Sequence, residues 1–266
     1  MAGYGRIAGM VLLTLLAAGA ARADEPVDLE LVLAVDVSGS VDPEEARLQR
    51  DGYVGALTDP KVQAAIHGGP YGRIAVVYVE WAGDSFQRIV VPWTLLGDPA
   101  SVEAFASAVA EAPIASAQWT SISGAIDFCA RLFDGNGYEG ARRVIDVSGD
   151  GVNNRGRPVE WARDQAVAAG ITINGLPILN DRPNPWGGGP TLDLDGYYRD
   201  HVIGGPGAFL VPAVSFEAFA EAILSKLLLE ISDRTPDAPP GATESAGADR
   251  PHPDRSVLAA ASRANR

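Results

Sequence analysis

Leu29-Glu30-Leu31-Val32-Leu33-Ala34-Val35-Asp36-Val37-Ser38-Gly39-Ser40 is the stretch that decides how this chain reads. The apolar run from Leu29 to Val35 predicts a buried strand, of the kind found inside a parallel sheet. It ends in one carboxylate and two hydroxyls, Asp36, Ser38 and Ser40, with Gly39 letting the chain bend. Hard oxygen ligands at the carboxyl tip of a strand suit Mg²⁺, Mn²⁺ or Ca²⁺.

Outward from that strand, strand and helix patterns alternate, which predicts an α/β fold with a doubly wound, mostly parallel open sheet and helices on both faces. Asp42-Pro43-Glu44-Glu45 reads as a helix cap, with proline at the first helical position and a helix running to about Leu57. Arg73 to Trp81 and Phe86 to Trp93, linked by Ala82-Gly83-Asp84-Ser85, read as a hairpin that places one antiparallel strand at the sheet edge. Helices are expected near Ser101 to Ala110 and Ser121 to Leu132, a strand over Arg143 to Gly149, and a helix over Pro158 to Ala169 capped by Gly170. Ile171 to Ile178 reads as a further central strand and Asn180 to Gly196 as an irregular Gly- and Pro-rich loop. Ala208 to Val211 then reads as a last strand and Phe216 to Ile231 as a last amphipathic helix.

The two ends read differently from this middle. Arg6, the apolar stretch Ile7 to Ala20 and Ala21-Arg22-Ala23 have the three regions of a secretory signal peptide, so residues 1–23 are expected to be removed on export. The apolar run falls short of the roughly 20 residues of a spanning helix. Residues 24–232 form the expected domain, and the Pro-, Ala- and Asp-rich residues 233–266 read as a disordered tail. The location implied is periplasmic or secreted, with no membrane insertion after cleavage.

The formal net charge is −13, and the loss of Arg6 and Arg22 with the leader makes it more negative still. Nucleic acid is a poor partner for that balance. The single cysteine, Cys129, lies in the apolar pattern Ile122, Ile126, Cys129, Ala130, Phe133, and reads as a buried structural thiol. His67, His201 and His252 lack zinc-ligand spacing, which leaves carboxylates and hydroxyls as the ligand set.

Two more segments supply oxygens at strand or loop tips. Gln118-Trp119-Thr120-Ser121 offers Thr120 before a helix, with an ordinary helix cap as its rival role and Ser121 or Ser123 as the alternative hydroxyl. Val144-Ile145-Asp146-Val147-Ser148-Gly149 delivers Asp150-Gly151 at its tip, with Asp146 as the rival carboxylate inside the strand. Ser40 or Asp42 could likewise serve only as a cap.

The order Asp36-x-Ser38-x-Ser40, then Thr120, then Asp150 resembles the metal-ion-dependent adhesion site (MIDAS) of the von Willebrand factor A domain, over roughly Leu29 to Ile231. Val144 to Gly151 together with Tyr197-Tyr198-Arg199-Asp200-His201-Val202-Ile203-Gly204-Gly205-Pro206-Gly207 is similar to an uncharacterised group of exported bacterial proteins with a domain of unknown function. The first resemblance implies that the serines and threonine contact a divalent ion directly or through water, while the aspartates hold coordinated waters. One position then stays open for a carboxylate of a partner protein. Trp119, Asn153, Asn154, Asp84 and the loop carrying Trp186, Asp193, Asp195 and Tyr197 are candidate rim contacts; Asp193-Leu194-Asp195-Gly196 matches only a fragment of a calcium loop.

Two alternatives remain open. One is a structural domain whose metal site is non-functional. The other is a metal-dependent hydrolase, since haloacid-dehalogenase-like phosphohydrolases keep a nucleophilic carboxylate at such a tip. That chemistry wants a second Asp where Ser38 stands and a basic residue for the phosphate, yet Lys61 and Lys226 are the only lysines and neither follows a strand tip. No Gly-x-Ser-x-Gly elbow surrounds Ser38 or Ser148. The sequence therefore reads as a non-enzymatic binding module.

Overall fold

The computed structural model describes residues 24–179 and 193–233. The leader, Trp186 and the tail beyond Asp233 lie outside the described residues. The strands are β1 (Glu25–Val27), β2 (Glu30–Asp36), β3 (Ile74–Trp81), β4 (Gln87–Leu96), β5 (Tyr138–Gly140), β6 (Arg143–Gly149) and β7 (Thr172–Pro177). The helices are α1 (Pro43–Thr58), α2 (Pro60–His67), α3 (Pro99–Glu111), α4 (Ile122–Ala130), α5 (Val159–Ala168), α6 (Leu194–Tyr197) and α7 (Phe219–Ile231), with a π-helical turn at Tyr198–Val202.

One five-stranded sheet has the order β4-β3-β2-β6-β7, parallel except where β4 pairs antiparallel with β3. Every residue of β2 is buried. Its side chains alternate between two cores: Leu31, Leu33 and Val35 meet Tyr53, Phe105, Phe219 and Leu227 from α1, α3 and α7. Val32 and Ala34 meet Ile122, Ile126, Val159 and Tyr198 from α4, α5 and the π-turn. Cys129 is wholly buried in this second core. Because the chain leaves β2 toward β3 on one side and returns at β6 on the other, the winding reverses at β2, and a crevice opens beyond its carboxyl end.

Local signals explain most boundaries. Asp42 caps α1 through a capping box with Glu45, and Pro43 opens the helix. Asp59, accepting the Lys61 N–H, and Pro60 open α2, a helix absent from the sequence reading, without a capping box. Other expectations need correction. Ile171 to Ile178 is an edge strand, flanked by isolated bridges from Gly204, Leu210 and Ala213. Those bridges replace the strand expected at Ala208 to Val211, because Pro206 and Pro212 lack the N–H that a continuous ladder needs. Leu194 to Gly196, expected in an irregular loop, are helical under an Asp193 cap.

Charges buried against the first core are paired. Glu80 of β3 takes Arg50 of α1 at 2.5 Å and Arg88 of β4 at 2.6 Å. Lys226 Nζ of α7 stands 2.5 Å from both Asp146 Oδ1 of β6 and Glu230 Oε1, all within the fully buried interior. Glu230 Oε1 also accepts from Asn174 Nδ2 at 2.9 Å. Asp146 is thus an interior group, as its place inside the strand implies.

Two carboxylates here share one ammonium away from water. Burial first, and then the charge of Glu230, push the Asp146 carboxyl up to about 7 against the pull of Lys226. The folded chain therefore holds this proton more tightly than the unfolded one, so stability falls as the pH rises through that value and recovers as it drops toward the ordinary Asp range. Melting temperature should rise from about pH 8 to about pH 6, and Asp146→Asn should flatten the slope. Lys226→Met strands both carboxylates and should cost about 3–5 kcal/mol in urea titration; a loss under about 1 kcal/mol would show that the cluster is not held by its ammonium.

Candidate metal centre

Three segments converge beyond the end of β2. Asp36 is its last residue and is fully buried; Oδ1 accepts the Ser38 N–H at 2.7 Å. Ser38 Oγ lies 3.1 Å from Ser40 Oγ, and Ser40 Oγ donates to Asp150 Oδ1 at 2.7 Å. A continuous polar chain thus runs from the tip of β2 to the tip of β6. Gly39 makes its turn without entering the left-handed region, so the bend does not depend on that freedom.

Thr120 arrives from the loop between α3 and α4, which is stitched to the same edge. Ala117 N–H donates to Val37 O at 3.0 Å, and Ser121 N–H donates to Ala82 O at 2.7 Å. Asn154, after Asp150, accepts the Thr120 N–H at 2.9 Å and returns its own N–H to Thr120 O at 2.9 Å. Ser121 is the residue that caps α4, through Gly124 N–H. Capping therefore does not occupy the Thr120 hydroxyl, and Asp42 rather than Ser40 caps α1.

The structure thus gathers Asp36, Ser38, Ser40, Thr120 and Asp150 at one end of the sheet, the first three and Asp150 by direct hydrogen bonds. Burial, and then the charge of Asp150, raise the Asp36 carboxyl well above the usual range, partly offset by Ser38. Asp36 Oδ2 is buried and has no hydrogen-bond partner among the described residues. An orphaned carboxylate oxygen beside a second carboxylate and three hydroxyls fits a hard divalent cation, which would neutralise the repulsion and fill the empty acceptor position. Among the described residues no group of three or more His, Cys, Asp and Glu side chains could hold a metal, so no zinc-type cluster competes with this set.

Several of the candidate rim residues carry structural hydrogen bonds. Asn153 Oδ1 accepts the Ser123 N–H and its Nδ2 donates to Arg157 O; Asn154 clamps Thr120 as described, and Asp193 caps α6. Trp119 remains on the surface, 55% exposed, at φ +70° and under the Arg155 guanidinium at 5.4 Å. A bulky residue in that conformation is strained by about 1–3 kcal/mol. Sequence reasoning missed Tyr198, a fully buried phenol whose hydroxyl has no partner among the described residues.

The family described as "Protein of unknown function (DUF1194)" matches residues 26–235. The chain belongs to that family. No curated protein matches it. Among solved structures, the domain is similar to proximal thread matrix protein 1 from the mussel byssus with a zinc-occupied MIDAS motif, at 15% identity and TM-score 0.52, covering 79% of this chain and 49% of that one. It is similar to the pilus adhesin SpaC from Lactobacillus rhamnosus GG, at 17% identity and TM-score 0.54, covering 78% and 30%. A von Willebrand factor type A protein from Catenulispora acidiphila gives 18% identity and TM-score 0.53, covering 77% and 43%. The chain thus spans about half or less of the length of these proteins. At such identities the likeness is one of fold, and the fold is von Willebrand factor A-like.

Because Asp36 is destabilised by its own charge, Asp36→Asn should raise the melting temperature of the chelator-treated protein. About 1 kcal/mol of relief corresponds to about 2–4 °C for a domain of this size. The gain should be largest at alkaline pH and shrink as the pH falls, since the parent carboxyl then takes up its proton in the folded state. A melting temperature lower than the parent's at every pH would mean that the Asp36 charge is already compensated.

Proposed function

We propose that this domain is an exported, non-enzymatic protein-binding module of adhesion type, in which Asp36, Ser38, Ser40, Thr120 and Asp150 hold a divalent cation. Mg²⁺ is the favoured ion, with Mn²⁺ or Ca²⁺ as substitutes. When bound, the cation supplies positive charge and an open position for a carboxylate of the partner protein. The observation that carries this reading is the orphaned Asp36 Oδ2 inside a cluster of oxygens drawn from three separate loops. The zinc-occupied motif and the adhesin among the similar folds support it.

The chain's own residues would divide the work. Ser38, Ser40 and Thr120 offer neutral oxygens, while the carboxylates of Asp36 and Asp150 balance the ion's two charges. The neutral hydroxyl ligands would leave the cation electrophilic enough to take one more carboxylate oxygen. Trp119, exposed beside Thr120, offers an aromatic face to whatever flanks that group. Lys226 is committed to Asp146 and Glu230, so it is not available to hold a phosphate. No helix of the described residues is long and apolar enough to cross a membrane. With residues 1–23 as a cleaved signal peptide and 233–266 as a solvated tail, the mature module would work in the periplasm or outside the cell.

Thermal melts with Mg²⁺, Mn²⁺, Ca²⁺ or chelator test the reading. An ion that binds only the folded form at a hundredfold excess over Kd adds about 2.7 kcal/mol. Asp36→Ala and Asp150→Ala should each abolish that gain while the domain stays folded, and Thr120→Ala should weaken it. An unchanged metal response in Asp36→Ala would show that the ion is held elsewhere, and no response in the parent would leave a structural domain with a non-functional site.

A further inference from the structure

The tyrosine pair in the segment Tyr197 to Gly207 meets the metal centre from beneath. Tyr198 begins the π-helical turn, in which Ile203 N–H reaches back to Tyr198 O at 2.9 Å. Such turns are rare and gather at functional sites. The ring of Tyr198 lies over the ends of β6 and β7, where two strand glycines make room for it. A Cβ on Gly175 would come 2.8 Å from Tyr198 Cδ1. A Cβ on Gly149 would come 2.9 Å from Tyr198 Oη and 2.9 Å from Asp36 Oδ2 at once.

The two orphaned oxygens of this region therefore face one small space, the one a methyl group on Gly149 would fill. Neither has another hydrogen-bond partner among the described residues. Each buried polar atom in a native fold calls for a partner, and these two lie on either side of the same point, each 2.9 Å from a Cβ on Gly149. A phenol keeps its proton at neutral pH and so is able to donate. Its neighbour Tyr197 accepts the Asn153 N–H at 3.2 Å and so braces the loop that follows Asp150.

We infer that Tyr198 is a positioning residue of the metal centre: its hydroxyl donates toward Asp36 Oδ2 and fixes the orientation in which that carboxylate meets the cation, with Gly149 kept bare to allow the approach. This rests on the proposed metal-binding reading. Groups that orient metal ligands from behind typically govern affinity by about 10- to 100-fold.

The test is calorimetric titration of Mn²⁺ into the mature chain, with chelator-treated melts run alongside. Tyr198→Phe should raise the Kd for Mn²⁺ about tenfold or more, while the metal-free chain stays folded and its melting temperature falls by no more than about 2–4 °C, the loss of about one hydrogen bond. Gly149→Ala should weaken Mn²⁺ binding as well, by pressing the phenol and the carboxylate apart. An Mn²⁺ Kd within about twofold of the parent's in Tyr198→Phe, with Asp36→Ala abolishing binding, would overturn the inference and leave the metal site standing. Failure of the parent itself to bind Mn²⁺ would overturn both.

Discussion

The structure turns on one constraint: a carboxylate that terminates a strand buried on both faces. Water reaches neither side of β2, so Asp36 inherits the desolvation of the core on which it stands, and among the described residues its second oxygen lies outside hydrogen-bond geometry with any donor. Everything around it answers that difficulty. The Ser38 amide takes one oxygen, the serine pair carries the polar chain outward, and Asp150 closes the chain from the neighbouring strand while adding a second negative charge. A site so arranged is frustrated by itself and would be satisfied by a cation, unlike a polar network that the protein completes on its own.

A contrast within the molecule sharpens this. Glu30 and Glu80 are as deeply buried as Asp36, yet each is met by protein: Glu30 by Gly140, Asn136 and Arg143, Glu80 by two arginines. The chain evidently has the means to neutralise a buried acid where it is only structural. At the tip of β2, among the described residues, Asp36 has no ion pair, and Arg155 lies over Trp119 and 3.8 Å from Asp84.

Much of this was legible from residue order. The apolar run of β2 fixed the sheet's middle, Asp42-Pro43-x-Glu45 fixed the start of α1, and the three oxygen-bearing segments marked one end of the fold. What escaped depended on contacts between distant positions. The cap of α2, Asp59-Pro60, is a readable signal lying too close to the end of α1 to be separated from it. β1 and β5 are three residues each and carry no periodicity of their own. Tyr198 could not be read, because its place is set by the absence of side chains at Gly149 and Gly175, and nothing local links those glycines to a tyrosine on a later turn.

The segment from Gly204 to Ala213 has a consequence of a different kind. It crosses the outer side of β7, bonding at Ile173, Gly175 and Ile178 without forming a strand that would itself need a neighbour. The prolines at 206 and 212 spoil it as a template for a further chain. This border of the sheet therefore offers no open ladder to a second copy, so an association there would come through side chains and not through backbone pairing.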